Sequence, residues 1–297
     1  MAESLVDRVL RGQSWLDPVA DFTQRLVGGF YGALGPLGTA LKNFAHGTWA
    51  LRHPLHPALT DFPLGAWTVG VIADFAAIRW HALPTQAGDM ALAAGVVAAT
   101  GAVLTGYTDF HETWALERRS AFVHGLTMTL AFALMAVSLA LRWRAGAGTH
   151  TAAVWIALIG VLLTAFGMYL GGHVVYRFGS AVDRNAFIEA PEEFVDVGAL
   201  ADFPEGALVS VDAGAAKVLL VRRGQEVHAI SDVCSHAGGP LDEGTLEGDV
   251  VTCPWHGSKF CVLNGSVRGG PATFSQPAYD CRVVEGRLQV KLAEVMS

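Results

Sequence analysis

Two short stretches hold the residues best suited to chemistry, Cys234-Ser-His236 and Cys253-Pro-Trp-His256. Each supplies one thiolate and one imidazole, separated by one residue in the first and by two in the second. A pair of loops built this way can grip a 2Fe-2S cluster from two sides, with the cysteines on one iron and the histidines on the other. Gly238, Gly239 and Gly257 crowd the same stretches, as suits backbone that must approach a cluster and point N–H groups at its sulfurs. The competing use of two Cys and two His is a structural zinc ion. Zinc fingers, however, pair like with like, as C-x2–4-C and H-x3–5-H, and the mixed order here favours the cluster.

The run CSHAGGPL at 234–241, followed by CPWHGSKF at 253–260, resembles the Rieske iron–sulfur family in its ferredoxin-type branch. The match extends through Gly269-Gly-Pro-Ala272. The resemblance implies a small β barrel, a one-electron carrier, and Cys234, His236, Cys253 and His256 as the cluster ligands. Rieske proteins of cytochrome bc complexes resemble CTHLGC…CPCHGS, in which an extra cysteine in each loop forms a disulfide. Those two places are taken here by Gly239 and Trp255, which implies the ferredoxin-like form and the lower part of the family's potential range. Ser258 matches a position where a hydroxyl raises the potential, and Cys261 departs from the Asp common after Phe260 in that branch. Rieske oxygenases carry a large further domain with two histidines and a carboxylate on a mononuclear iron. The chain runs only to Ser297, so an oxygenase terminal component is not expected. Electron carrier or component of an oxidoreductase both stay open.

Those loops sit in an unusual chain. Of its 297 residues 52% are hydrophobic and only 16% charged, which is apolar for a soluble protein. Residues 1–181 hold 11 Lys/Arg and 10 Asp/Glu, against 9 and 17 in residues 182–297, so an acidic part follows a near-neutral apolar one. No basic stripe suggests nucleic acid. Phe62–Trp80, Gly88–Asp109, Ser120–Leu141 and Thr151–Gly172 are each long enough to cross a bilayer. Short loops between them predict an antiparallel four-helix bundle, with a buried soluble bundle as the alternative. Gly95, Gly101, Gly106, Gly160 and Gly167 suit close helix approach in lipid. Trp67, Trp80, Trp143 and Trp155 lie nearer the run ends than the middles.

Ahead of the first run, Asp7, Arg8 and Arg11 interrupt any signal-peptide core. The stretch Leu26–Leu41, with five glycines and Pro36, makes a poor fifth span. Leu5, Val9, Leu10, Val19, Phe22, Leu26 and Phe30 are loosely helical in spacing, which predicts a surface-lying amphipathic segment over residues 1–50. His53-Pro-Leu-His56-Pro, Gly106-Tyr-Thr-Asp109, His124 and Gly171-Gly-His173 together resemble a bacterial four-span membrane-domain family of unknown function, over roughly residues 45–182. In an up-down-up-down bundle His53, His56, Asp61, Asp109, His111, His124 and His173 gather toward one membrane face. Two of His53, His56, His124 and His173 are candidates to ligate a haem b between helices, with His124 first and His173 or His56 as its partner. The alternatives for the same face are a quinol site, another metal, or histidines that merely cap helix ends. Asp74, the one acid well inside a run, is assigned to Arg79 as a local ion pair or to snorkelling.

From Val182 onward the pattern is that of a small β domain. Strands are predicted at Phe194–Val197, Ala207–Val211, Lys217–Val221, Val227–Ile230 and Val250–Thr252, with a closing hairpin of Arg282–Val284 and Arg287–Lys291. Cys261 and Cys281 read as buried small residues in a reducing compartment. Lys42, Arg52, Arg118, Arg119 and Arg177 against Arg79, Arg142 and Arg144 put the β domain on the cytoplasmic side of a bacterial inner membrane. The expectation is therefore an all-α four-helix transmembrane bundle (51–181) preceded by an interfacial segment (1–50) and followed by an all-β Rieske-type domain (182–297). Its partners would be the lipid bilayer and a redox protein or quinone.

Overall fold

The computed structural model describes residues 4–49, 51–80, 84–145 and 151–294. The outermost residues of the expected first and last segments, and residue 50 at the first boundary, lie outside the described residues. The chain divides into two units. One comprises the chain up to Leu41 with Leu55–Gly179, the other Lys42–Pro54 with Ser180 onward.

The first unit is helical. Two amphipathic helices, α1 (Leu5–Arg11) and α2 (Leu16–Ala33), are followed by α3 (Gly35–His46), whose last residues belong to the second unit. Four long helices come next: α4 (Leu55–Trp80), α5 (Gln86–Phe110), α6 (Ala115–Ala145) and α7 (Thr151–Phe178). All four expected apolar runs fall inside α4–α7, which are long and apolar enough to cross a membrane. A helix of 25 residues spans about 38 Å against the roughly 30 Å of a bilayer's hydrocarbon core. Large apolar side chains such as Phe62, Ile72, Val97, Leu104, Leu162 and Phe166 point outward, more than half exposed. The interior combines a few large buried side chains, Trp67, Leu92 and Met135, with the small residues Gly95, Ala99, Ala157 and Gly160 that let the helices approach closely.

The interior has a repeat that the amino-acid identities hide. Most buried positions of α4 recur 68 residues later in α6: Pro63 and Ala131, Trp67 and Met135, Gly70 and Ser138, Val71 and Leu139, Asp74 and Arg142. Those of α5 recur 65 residues later in α7: Gly88 and Ala153, Leu92 and Ala157, Gly95 and Gly160, Ala99 and Thr164, Ala102 and Gly167, Thr105 and Leu170. The contacts repeat too. A Cβ on Gly95 would lie 2.4 Å from the Trp67 ring, and one on Gly160 would lie 2.8 Å from Met135 Cε. The unit is thus two helical hairpins of the same internal register, α4–α5 and α6–α7, with like residues meeting between them.

Asp74 and Arg142 are such a pair. The guanidinium forks onto the carboxylate at 2.9 and 2.6 Å and also reaches Asp89 at 2.8 Å, while Arg142 Nε donates to Ser138 Oγ at 3.2 Å. This corrects the assignment of Asp74 to Arg79: among the described residues the buried acid is neutralised by a partner on another helix. Both partners are essentially closed to the outside, so the pair must be complete, because one buried charge without the other is costly. Gly88 makes room for it, since a Cβ there would sit 2.0 Å from Asp74 Oδ1.

Outside the bundle, α1 and α2 are anchored by polar contacts. Ser4 caps α1 by accepting from Asp7 N–H at 3.0 Å. Asp7 takes His173 Nε2 at 3.0 Å and Arg177 Nε at 2.8 Å, and Gln24 Nε2 donates to the Phe110 and Thr113 carbonyls at 2.9 Å. Leu5, Val9, Val19, Phe22, Leu26 and Phe30 face outward, whereas Leu10, expected on the same face, is buried.

The second unit is built on two antiparallel sheets. The larger has the order β1 (Val195–Ala199), β10 (Arg287–Leu292), β9 (Ala278–Val284), β4 (Glu226–Ser231), β3 (Ala216–Arg223), β2 (Leu208–Ala213). Its two edge strands also approach one another, making a near-barrel. The smaller sheet runs β5 (Thr245–Glu247), β6 (Val250–Thr252), β7 (Lys259–Cys261), β8 (Val267–Gly269). Every expected strand is present within a few residues. Strands β5, β7 and β8, of three residues each, are too short for an alternation to announce them. A core of Leu219, Ile230, Leu241, Val251 and Phe260 joins the two sheets and encloses Cys234 and Cys253.

Breaking one side of a buried ion pair costs about 3–5 kcal/mol, whereas replacing both sides by apolar groups is close to neutral. Asp74→Asn is therefore expected to lower the thermal unfolding midpoint of the detergent-extracted chain. The double change Asp74→Leu/Arg142→Met should recover most of that loss.

Candidate functional site

Two loops of the second unit, one after β4 and one between β6 and β7, have the same backbone wiring. In the first, Cys234 N–H donates to Gly239 O at 2.9 Å and Gly238 N–H to Cys234 O at 2.8 Å; in the second, Cys253 N–H donates to Ser258 O at 2.8 Å and Gly257 N–H to Cys253 O at 3.1 Å. Gly238 and Gly257 hold φ of 83° and 74°, a left-handed conformation that glycine adopts without a Cβ penalty. The pattern recurs a third time at Cys261–Ser266, so the turn itself is a device of the fold. What distinguishes the first two turns is that they face each other with their cysteines inward.

Within the matched frame the histidines are one place out of step, His236 two residues after its cysteine and His256 three after its own. The structure nonetheless brings the imidazoles together, with ring centroids 4.9 Å apart and planes at 85°. Cys234 and Cys253 are 1% and 3% exposed, beneath the partly exposed imidazoles. Each sulfur receives backbone N–H groups from its own turn, Cys234 from His236 and Ala237, Cys253 from Trp255 and His256. The two sulfurs lie within hydrogen-bond reach of one another. Donation from Cys234 holds Cys253 down at about 6, and the same bond, together with burial, pushes Cys234 up. A pocket that gathers donors in this way suits a bridging cation. Two thiolates and two imidazoles, with N–H groups aimed at sulfur, match the donor set of a Cys2His2 2Fe-2S cluster.

The places of the bc-type disulfide lie against one another, but as glycine on indole. A Cβ on Gly239 would meet Cys253 Sγ at 2.9 Å and the Trp255 ring at 3.0 Å. Trp255 remains 47% exposed beside His256.

Much of what steadies the site was not visible as chemistry in the sequence. Asn185 is a buried hub: its Nδ2 donates to Val233 O at 2.9 Å and Gln276 Oε1 at 2.7 Å, and its Oδ1 accepts from Ser231 Oγ at 2.7 Å. Asp232 accepts from Asp242 N–H at 2.9 Å and Ser210 Oγ at 2.8 Å. The run Gly270–Phe274 braces both loops. Ala272 N–H donates to Ser258 Oγ at 3.1 Å, and Ser235 Oγ donates to Phe274 O at 2.7 Å. Residues from the Lys42–Pro54 segment support that run in turn. Gly270 N–H donates to Asn43 Oδ1 at 2.9 Å and Thr48 Oγ1 to Ala272 O at 3.1 Å. Only the Gly-Gly-Pro-Ala motif hinted at this layer.

The four histidines considered for a second redox group separate. His56 and His124 meet in the first unit, with ring centroids 6.3 Å apart. His173 instead bonds Asp7, and His53 belongs to the second unit, edge-on to Phe274 at 6.5 Å. Cys261 and Cys281 are free thiols, and burial pushes Cys281 up to about 12.

Removing a buried hydrogen-bond hub leaves its partners unsatisfied, at about 1–3 kcal/mol. Asn185→Ala is expected to destabilise the second unit by that amount in denaturant titration. Asn185→Asp, which turns a carboxylate oxygen onto the Val233 and Gln276 acceptors, should destabilise at least as much.

Comparison with known proteins fits this geometry. Residues 193–280 match the Rieske [2Fe-2S] domain and residues 52–184 the family described as predicted membrane protein (DUF2231). The ferredoxin CarAc of Metapseudomonas resinovorans is 36% identical over 98 residues, 33% of this chain and 92% of its own length. The anthranilate 1,2-dioxygenase ferredoxin subunit of Burkholderia cepacia is 31% identical over 34% of this chain and 93% of its own. The solved ferredoxin of carbazole 1,9a-dioxygenase from Nocardioides aromaticivorans IC177 is 31% identical over 34% of this chain and 98% of its own, with a TM-score of 0.32. Through its C-terminal part the chain belongs to the Rieske [2Fe-2S] electron-transfer family, fused behind a DUF2231 membrane domain.

Proposed function

We propose that the chain is a membrane-anchored one-electron carrier in which Cys234 and Cys253 hold one iron of a 2Fe-2S cluster and His236 and His256 hold the other. The observation that carries this reading is the pair of matched turns, which puts two sulfurs in hydrogen-bond contact under two imidazoles 4.9 Å apart. When bound, the cluster supplies a one-electron couple whose potential is raised by histidine on one iron. The protein's own residues do the rest. The N–H groups of His236, Ala237, Trp255 and His256 point at the ligand sulfurs and favour their charged form. The buried cysteines keep the sulfur side away from water, while the partly exposed imidazoles form the outward edge through which electrons enter and leave. Trp255, half-exposed at that edge, offers an apolar contact to a docking partner.

Residues 51–181 are proposed as the membrane-spanning domain, residues 1–50 as a segment lying at the lipid interface, and residues 182–297 as the carrier facing the cytoplasm. Support for the first comes from the length and apolar exterior of α4–α7. The outward row from Leu5 to Phe30 supports the second. The Lys/Arg excess near the start of α4 and the end of α7 supports the third. The relatives named above are ferredoxins, one of them the ferredoxin subunit of an anthranilate 1,2-dioxygenase. By that likeness the partner is a reductase, an oxygenase or another one-electron protein, with a membrane quinone as the remaining choice.

Purified anaerobically, the chain should contain two non-haem irons and two labile sulfides and give a rhombic EPR signal on reduction. Cys253→Ser or His236→Ala should abolish that signal, and a preparation with only zinc would overturn the assignment. His256→Cys, where it assembles a cluster, should lower the midpoint potential by on the order of 100 mV or more. Gly239→Ala forces a Cβ onto Cys253 Sγ and the Trp255 ring, so cluster occupancy should fall.

A further inference from the structure

The repeat in the helical unit places one more pair of equivalent residues together. His56 and His124 are 68 residues apart, in the same relation as Asp74 and Arg142, and they meet between the hairpins with ring centroids 6.3 Å apart and planes at 70°. Their surroundings repeat as well. His56 Nδ1 bonds the Ala102 carbonyl at 2.9 Å and His124 Nδ1 bonds the Gly167 carbonyl at 2.8 Å, and Ala102 and Gly167 are equivalent positions of α5 and α7. Each ring lies on a glycine four residues further along, Gly106 and Gly171, again equivalent. A Cβ there would come within 2.8 Å of the His56 ring and 2.9 Å of the His124 ring.

A carbonyl can only accept, so Nδ1 is the donor in both rings, and in the neutral imidazole that leaves Nε2 as the nitrogen able to bind a metal. That is the state of a metal-ligating histidine, whose other nitrogen donates to a backbone carbonyl that fixes its tautomer and orientation. Among the described residues neither Nε2 makes a hydrogen bond. The spacing suits a shared metal. With each nitrogen about 2.0–2.1 Å from it and about 1.1 Å more to each ring centre, two opposed imidazoles have centroids about 6.2–6.4 Å apart. A bare ion is poorly served, since zinc takes three or four protein ligands. Among the described residues no third His, Cys, Asp or Glu joins the pair in a metal-holding group. A haem iron needs only two axial ligands, because the macrocycle fills the other positions.

We propose that His56 and His124 are the axial ligands of a haem b in the α4–α7 bundle, one from each hairpin. The site is independent of the cluster loops: it takes one residue from each half of the repeat and uses neither His53 nor His173. The iron there is a one-electron centre, Fe(III) to Fe(II), low-spin and six-coordinate.

The test uses the full chain, expressed with added 5-aminolaevulinate, extracted in mild detergent and titrated with haemin. About one haem per chain by pyridine haemochrome, with the narrow α band of bis-histidine ligation on reduction, is expected. His56→Gly and His124→Gly should each convert the spectrum to high-spin or lose the haem at least tenfold. Free imidazole should restore the low-spin spectrum in both, which a merely misfolded bundle would not allow. His173→Ala should leave the spectrum unchanged. The EPR signal of the cluster, read in the same samples, should persist throughout, so failure of this site is distinct from failure of the carrier assignment. No Soret band after haemin titration, or an unaltered low-spin spectrum in both glycine variants, overturns the proposal.

Discussion

The proposed cluster requires four donors of opposite habit within a few ångströms of one another: two thiols that resist ionisation when buried and two imidazoles that must stay reachable. The second unit answers with a single backbone device used twice, a five-residue turn whose N–H groups point back at the cysteine that opens it. Those N–H groups offset the cost of burying sulfur charge, and they require left-handed glycines at 238 and 257. Everything else in the unit follows from keeping the two turns face to face. The small sheet fixes the second turn between β6 and β7, and the Asn185 and Asp232 networks fix the first. The Gly270–Phe274 run braces both.

The helical unit obeys a different economy. Its outside is apolar, so its inside gains nothing from hydrophobicity alone and is organised by close approach and by the few polar groups that meet there. Two hairpins of the same register give those groups partners of their own kind of position. Acid meets base at 74 and 142, and imidazole meets imidazole at 56 and 124. The glycines at 88, 95, 106, 160 and 171 are places where a neighbouring side chain occupies what a Cβ would fill.

The site was legible in the sequence because its chemistry lies in residue types that have few other uses in such an order: Cys-x-His, Cys-x-x-His and the glycines between. The four helices were legible because length and the absence of charge are properties of single segments. What escaped depended on pairs far apart in the chain. Asp74 was given to Arg79, its neighbour along the helix, whereas the charge that neutralises it lies 68 residues away. The repeat itself preserves burial and contact rather than identity, pairing Trp67 with Met135 and Thr105 with Leu170. Asn43, Thr48 and Asn185 looked like ordinary polar residues until the fold brought their side chains to the loops they support.

The central claim is that the two irons have unlike ligands, sulfur on one side and nitrogen on the other. Mössbauer spectroscopy of the reduced, 57Fe-enriched chain measures this most directly. Two quadrupole doublets assigned to the cluster are expected in equal amounts, a ferric one typical of sulfur coordination and a ferrous one with the higher isomer shift of mixed sulfur and nitrogen coordination. Cluster iron with all-sulfur parameters at both sites, or none at all, would contradict it.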